Sequence, residues 1–221
     1  MIRGIIFDMD GLMVDTEGVG RECFHQALVQ LDIQYDGDIG MRMIGLNKVT
    51  ILPMLLEAFG TQETVDRILT RSSAIRNAWY NKNGIPPKKG LYELLDYLDS
   101  EGIKRAVASS SHRRTVEHHL SAVQVLDRMD ALVCGDEIRY GKPDPEIYNN
   151  ALDKLKLSPD QALVLEDSAP GVEAGYRAGC KVILIPDIAV HTERSRSMAD
   201  AVCEDLFQVI EIIKKHNGAG I

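Results

Sequence analysis

The sequence predicts an α/β protein, a doubly wound parallel sheet interrupted near its start by a small α-helical insert. Three observations carry that prediction. From about residue 84 onward, short apolar runs alternate with stripes of helical period. The chain also opens on such a run, Ile5-Ile6-Phe7, yet residues from about 15 to 83 carry helical stripes and no convincing strand. Finally, polar side chains able to do chemistry follow the apolar runs directly, which gathers them at one edge of the sheet.

The opening run is β-branched and too short for a helix, so it reads as a buried strand. Asp8-Met9-Asp10-Gly11 comes next, and the glycine lets the backbone turn sharply. Val19, Cys23, Ala27 and Leu31, widened by Phe24 and Leu28, mark a helix that Thr16 is placed to cap. Leu52, Leu55, Leu56 and Phe59 mark a second helix, closed by Gly60. A third opens at Thr61 or Gln62 and carries Val65, Ile68, Leu69, Ile75 and Trp79. The breaker cluster Asn83-Gly84-Ile85-Pro86-Pro87 reads as a linker. The division expected is therefore a core of residues 1–14 and 84–221, with a helical insert over 15–83.

Beyond the linker, Leu91, Leu94, Leu95 and Leu98 mark a helix ending near Gly102. Residues 105–108 form a strand that runs into Ser109-Ser110-Ser111, and 112–122 a helix for which Ser111 is the expected cap. A strand over 131–134 ends at Gly135-Asp136, and Asp144-Pro145 opens another helix, with proline at its first position. Buried strands over 162–165 and 181–185 flank a helix over 170–178, with Gly179 just past its end. A last helix over 204–216 leads to a fraying Gly-Ala-Gly tail. Strand–helix alternation of this kind gives a Rossmann-like sheet covered on both faces.

Composition narrows the function. With a net charge of −8 over 221 residues, the chain is a poor general binder of nucleic acid or anionic membrane, though a local basic pocket can still hold a phosphate. No apolar run approaches the roughly 18 residues of a membrane span, and no signal-peptide pattern opens the chain. Cys23, Cys134, Cys180 and Cys203 are scattered, as expected of reduced thiols filling core space. The expectation is a cytoplasmic monomer whose partner is a small molecule, with no nucleic acid and no membrane.

Asp8 and Asp10 follow the first strand, Ser109 the second, and Glu166-Asp167 a later one; Lys142 sits in a loop before a helix. Around a phosphate ester, one aspartate of the pair can attack phosphorus and the other can protonate the leaving oxygen and later deprotonate water. Carboxylates repel a dianion, so a divalent cation is required. Mg²⁺ suits Asp8, Asp167 and a backbone carbonyl such as that of Asp10, with water completing the shell. Ser109 and the N–H groups at the next helix start can hold phosphate oxygens, and Lys142 can neutralise developing charge.

Asp-x-Asp-Gly at Asp8 to Gly11, the serine after the second strand, Gly-Lys-Pro-Asp-Pro at 141–145 and Glu-Asp-Ser-x-x-Gly at 166–171 resemble, in order, the four motifs of the haloacid dehalogenase superfamily. The insert is similar to that superfamily's small α-helical cap. The resemblance implies Asp8 as nucleophile, Asp10 as acid/base, and Ser109 and Lys142 as phosphate ligands, with Ser110 and Gly11 beside them. It implies Mg²⁺ held by Asp8, Asp10 and Asp167, with Glu166 a ligand through water or a support behind the ligands. Asp10 argues against dehalogenases and phosphonate-cleaving relatives, which lack it, and the Asp-Lys-Thr-Gly of transport ATPases is absent. A phosphatase of small monoesters such as sugar phosphates is the first reading. A β-phosphoglucomutase-type mutase is the second, because Gly45-Leu46-Asn47-Lys48 stands where the mutase has Gly-Val-Ser-Arg, and lysine loses arginine's bidentate fork. A phospho-receiver or a silent binding protein would need neither the helical insert nor an acid/base two residues after the acceptor.

Overall fold

A computed structural model describes residues 1–43, 48–188 and 191–218, without the side chains of Lys48 and Val49. Strand β1 (Gly4–Phe7) is buried throughout, and its alternating side chains serve two cores. After β1 the chain leaves the sheet for α1 (Thr16–Gln30), α2 (Ile39–Met43), α3 (Lys48–Phe59) and α4 (Gln62–Asn83). These helices enclose a cluster of their own, built on Phe24, Leu28, Ile39, Leu55, Val65 and Ile68. Gly84, at φ +75°, ends α4 in a conformation that glycine adopts freely. The outgoing and returning segments lie side by side: Asp15 N–H donates to Pro86 O and Lys88 N–H to Met13 O, both at 2.9 Å.

The rest of the chain alternates: α5 (Leu91–Ser100), β2 (Lys104–Ser109), α6 (Arg113–Ala122), β3 (Ala131–Cys134), α7 (Glu146–Leu155), β4 (Ala162–Glu166), α8 (Ala169–Arg177), β5 (Lys181–Leu184), α9 (Glu193–Met198), β6 (Ala201–Val202) and α10 (Leu206–Gly218). The strands pair in parallel in the order β3-β2-β1-β4-β5-β6. Ile5, Phe7, Val107, Leu165 and Ile183 pack with α5, α6 and α10 on one face. Ile6, Ala108, Val164 and Val182 pack with α7 and α8 on the other. Phe7 lies in register with Val107 on one side and Leu165 on the other, so Asp8, Ser109 and Glu166 leave the sheet at one edge. Because strand order reverses at β1, that edge carries the crevice where open sheets of this kind bind ligands.

Some local expectations need correction. Thr16 does not cap α1. It is the helix's first residue, and its hydroxyl is engaged by Asp10. Ser111 does not cap α6 either: His112 holds that position without a side-chain bond, and the Ser111 hydroxyl also goes to Asp10. In both cases the hydroxyl turns to the half-buried Asp10 carboxylate instead of a helix N–H. Pro145 precedes α7 rather than opening it, while Asp144 accepts from Glu146 N–H at 3.0 Å. The last helix starts at Leu206, two residues late, and runs to Gly218; residues 219–221 of the tail lie outside the described residues. The short elements α2, α9 and β6 were not anticipated, being too brief to show a period. Among the described residues no helix is long and apolar enough to cross a membrane.

Candidate active site

Lys142 stands at the centre of the edge. Its Nζ donates to Asp8 Oδ1 and Glu166 Oε1, each at 2.5 Å, and to Ala108 O at 3.1 Å. The lysine and both carboxylates are buried, so one cation is shared between two anions in a low-dielectric setting. The two carboxylates differ in their other partners. Glu166 is fully buried and also accepts from the Tyr148 hydroxyl at 2.6 Å, the Asp167 and Ser168 N–H groups at 3.1 and 3.0 Å, and the Ser168 hydroxyl at 2.9 Å. Burial alone would raise its pKa, but Lys142 and these donors bring it below the ordinary range. Both Glu166 oxygens are thereby taken, which leaves none free for an ion.

Asp8 has the lysine and little else. Burial pushes its pKa up to about 8; the Lys142 charge pulls the other way, while Glu166 and Asp10 add to the rise. Asp167 is also buried and is driven well above the usual range, first by desolvation and then by Asp8, Glu166 and Glu17. Lys142 itself stays charged despite its burial, because Asp8 and Glu166 outweigh desolvation. The site is thus short of positive charge at Asp8 and Asp167.

Asp10 is held differently. Its Oδ1 accepts from Thr16 Oγ1 at 2.6 Å, and its Oδ2 from Ser111 Oγ at 2.8 Å and Ser109 Oγ at 3.3 Å. These hydroxyls can donate to a carboxylate or accept from a carboxylic acid, so the cradle suits either protonation state. His119 Nδ1 lies 3.8 Å from Asp10 Oδ1, and its ring meets Tyr80 of α4 edge-on. Burial lowers the His119 pKa against the pull of Asp10, which keeps the imidazole neutral.

Two glycines allow the carboxylates to approach. Gly11 has φ +84°, and a Cβ there would overlap Asp167 Oδ2. A Cβ on Gly171, in the first turn of α8, would overlap the Glu166 carboxylate. The Asp-x-Asp-Gly glycine is therefore fixed by close approach to Asp167 of the other motif, and the Glu-Asp-Ser-x-x-Gly glycine by close approach to Glu166 of its own.

Of the residues expected at the site, Asp8, Asp10, Ser109, Lys142, Glu166, Asp167 and Gly11 are brought together. Ser110 is exposed on the connection after β2, and Ser111 rather than Ser110 turns inward. Gly45, Leu46 and Asn47 lie outside the described residues, as does the Lys48 side chain. Thr16, Ser111, Tyr148, Ser168 and His119 were not assigned site positions from the sequence. The Ser168 position had a signal, since it follows Glu-Asp and caps α8 through Gly171 N–H. Tyr148 had none, because its neighbours Ile147, Ala151 and Leu152 make it read as core.

An oxygen-rich set of this kind suits a hard cation. The buried Asp167 carboxylate and a buried, unpartnered Asp187 Oδ2 both lie beside Gly11. Among the described residues no three Asp, Glu, His or Cys side chains are grouped to enclose an ion. That arrangement fits Mg²⁺, which takes one or two carboxylates and keeps several waters.

The profile of the haloacid dehalogenase-like hydrolases matches residues 5–185. The chain belongs to that family. Within it, a phosphorylated carbohydrates phosphatase of Thermotoga maritima is 31% identical over 182 residues, covering 82% of this chain and 84% of that one. A validoxylamine A 7'-phosphate phosphatase of Streptomyces hygroscopicus subsp. limoneus is 27% identical over 95% of this chain and 96% of its own length. Among solved structures, CbbY from Rhodobacter sphaeroides in complex with phosphate superimposes with a TM-score of 0.79 at 25% identity, over 95% of this chain and 96% of that one. These haloacid dehalogenase-like relatives are matched along nearly their full length.

Proposed function

We propose that this chain is a Mg²⁺-dependent phosphatase of small phosphate monoesters, sugar phosphates among them, that works through a phosphorylated Asp8. Family membership and relatives that are themselves phosphatases support the hydrolase reading. The observation that carries the mechanism is that Lys142 bonds one oxygen of each carboxylate while further donors occupy Glu166 alone, which leaves Asp8 at the sheet edge with an oxygen not claimed by the lysine.

In the first half-reaction an Asp8 oxygen attacks phosphorus, the bond from phosphorus to the ester oxygen breaks, and Asp10 gives its proton to the departing alkoxide. In the second, water attacks phosphorus as Asp10 takes its proton; the bond to Asp8 breaks, releasing phosphate and restoring the carboxylate. Asp8, Asp167 and the Asp10 carbonyl would hold Mg²⁺, which would supply the charge neutralisation a dianion needs to approach these carboxylates. Ser109, with Gly11 beside it, would receive phosphate oxygens, and Lys142 would offset charge as it builds. Glu166 acts by pinning Lys142. The helices of residues 15–83 serve as a cap over the edge, hinged where the Asp15 and Lys88 segments run side by side.

Asp8→Asn tests this directly. Its amide cannot attack phosphorus, so turnover of a sugar phosphate should fall at least about 10⁴-fold in a folded protein, and chelation of Mg²⁺ should stop the wild type. Turnover by Asp8→Asn near the wild-type rate would remove Asp8 as nucleophile.

A further inference from the structure

Asp187 belongs to none of the four motifs, yet it follows β5 onto the site edge. Its side chain is only 10% exposed. Oδ1 accepts from Lys88 Nζ at 2.6 Å, while Oδ2 is buried with no hydrogen-bond partner among the described residues. The position that a Cβ on Gly11 would occupy is 3.3 Å from this orphaned oxygen and overlaps Asp167 Oδ2. The two carboxylate oxygens therefore converge on one point beside Gly11.

Left as they stand, these oxygens are doubly unfavourable. A buried acceptor without a donor costs the desolvation of that group, and two converging carboxylates repel. A hydrated divalent ion on Asp167 relieves both, because waters bound to the ion turn their hydrogens outward to an acceptor behind them. We propose that Asp187 belongs to the divalent-metal site, its Oδ2 accepting from a water on the ion that Asp167 ligates. Lys88 holds the other oxygen. Lys88 sits on the segment returning from the helices, where its N–H is bonded to Met13 O. The crossing segments thus orient the carboxylate toward Gly11. This inference rests on the metal-dependent phosphatase reading.

The competing account makes Asp187–Lys88 a tether across the returning segment, with no part in metal binding. Equilibrium titration of the metal-free protein with Mn²⁺, read by the paramagnetic signal of the free ion, separates the two. Asp187→Asn keeps shape and removes charge, and its Kd for Mn²⁺ should rise about 10-fold or more. Asp187→Glu should recover part of that loss. Lys88→Met breaks the ion pair that orients the carboxylate but leaves its charge, and should raise the Kd clearly less than Asp187→Asn does. Melting curves in chelator establish that each variant is folded. A wild-type Kd in Asp187→Asn overturns the proposal. So do equal losses in Asp187→Asn and Lys88→Met, which would assign the effect to the tether. If the wild type itself bound no Mn²⁺, the metal-dependent reading would fail first and this inference with it.

Discussion

Tyr148→Phe isolates one hydrogen bond whose worth can be worked out. The Tyr148 hydroxyl donates to Glu166 Oε1 at 2.6 Å, and both residues are fully buried. Phenylalanine keeps the ring, its packing in the core and its face toward Lys142, whose Nζ is 5.2 Å from the centroid. No cavity is opened beyond one oxygen, so the transfer and cavity costs of a large-to-small change do not enter. What is lost is a donor to a charged acceptor, about 1.5–3 kcal/mol. Lys142 still occupies the same oxygen, which places the loss toward the lower end, about 1.5–2 kcal/mol. For a chain of this length that corresponds to a fall in Tm of about 3–8 °C.

The measurement is urea denaturation with calorimetry in chelator, for wild type, Tyr148→Phe, Glu166→Gln and the double variant. Coupling between the two sites should reach about 1 kcal/mol or more. Tyr148→Phe within about 0.5 kcal/mol of wild type, or an additive cycle, would refute the claim that Glu166 depends on this hydroxyl to remain charged.

Asp10→Asn should separate substrates by leaving group. An aryl phosphate leaves without an acid, so rapid mixing with an acid quench should trap a phosphorylated Asp8 after one burst of phenolate, whereas alkyl phosphates lose about 10²–10⁴-fold at the first step. Equal losses on both, with no trapped phosphoenzyme, would remove Asp10 as the acid/base. The four cysteines should be inert in the native protein: all are buried, and burial pushes Cys134 up to about 11 and Cys180 up to about 12, so an aromatic disulfide reagent at pH 8 should titrate thiols only after denaturation. One thiol reacting at the rate of free cysteine in the native state would contradict that burial.

The parts of the fold that repeat were legible. Among the described residues five of the six strands are four to six residues long and built on a short apolar run, and the helices over the sheet carry wide apolar stripes, so pattern alone marks them. The ladder at β6 spans two residues and α2 five, too few for either period to repeat. The site was legible where chemistry demanded a rare residue: two aspartates around one residue, a lysine before a proline, an acidic pair at a helix start. It was illegible where a common residue changes partner. Thr16 and Ser111 have the sequence signature of helix caps, and nothing local shows that Asp10 lies nearer to each hydroxyl than the N–H it would cap. Tyr148 and Asp187 were missed for the same reason, since their partners come from β4 and from the segment after α4.

Those distant partners matter because of the charge they distribute. Asp8, Glu166 and Asp167 are buried together with a single lysine. If Lys142 served Asp8 alone, Glu166 would be a buried anion without a counter-charge, at a cost of several kcal/mol. If it served Glu166 alone, the Asp8 pKa, raised to about 8 even with the lysine in place, would rise further and its nucleophilicity would fall. The donors gathered on Glu166 from Tyr148, Asp167 and Ser168 resolve this conflict: they stabilise its charge well enough that the lysine can lean toward Asp8 as well. The remaining deficit falls at Asp8 and Asp167, where a dianion approaching an uncompensated pair of carboxylates would be repelled. Under the proposed mechanism the metal therefore has to bind before the ester. The four donors on Glu166 from Tyr148, Asp167 and Ser168 are what leave the remaining deficit at Asp8 and Asp167 rather than behind them.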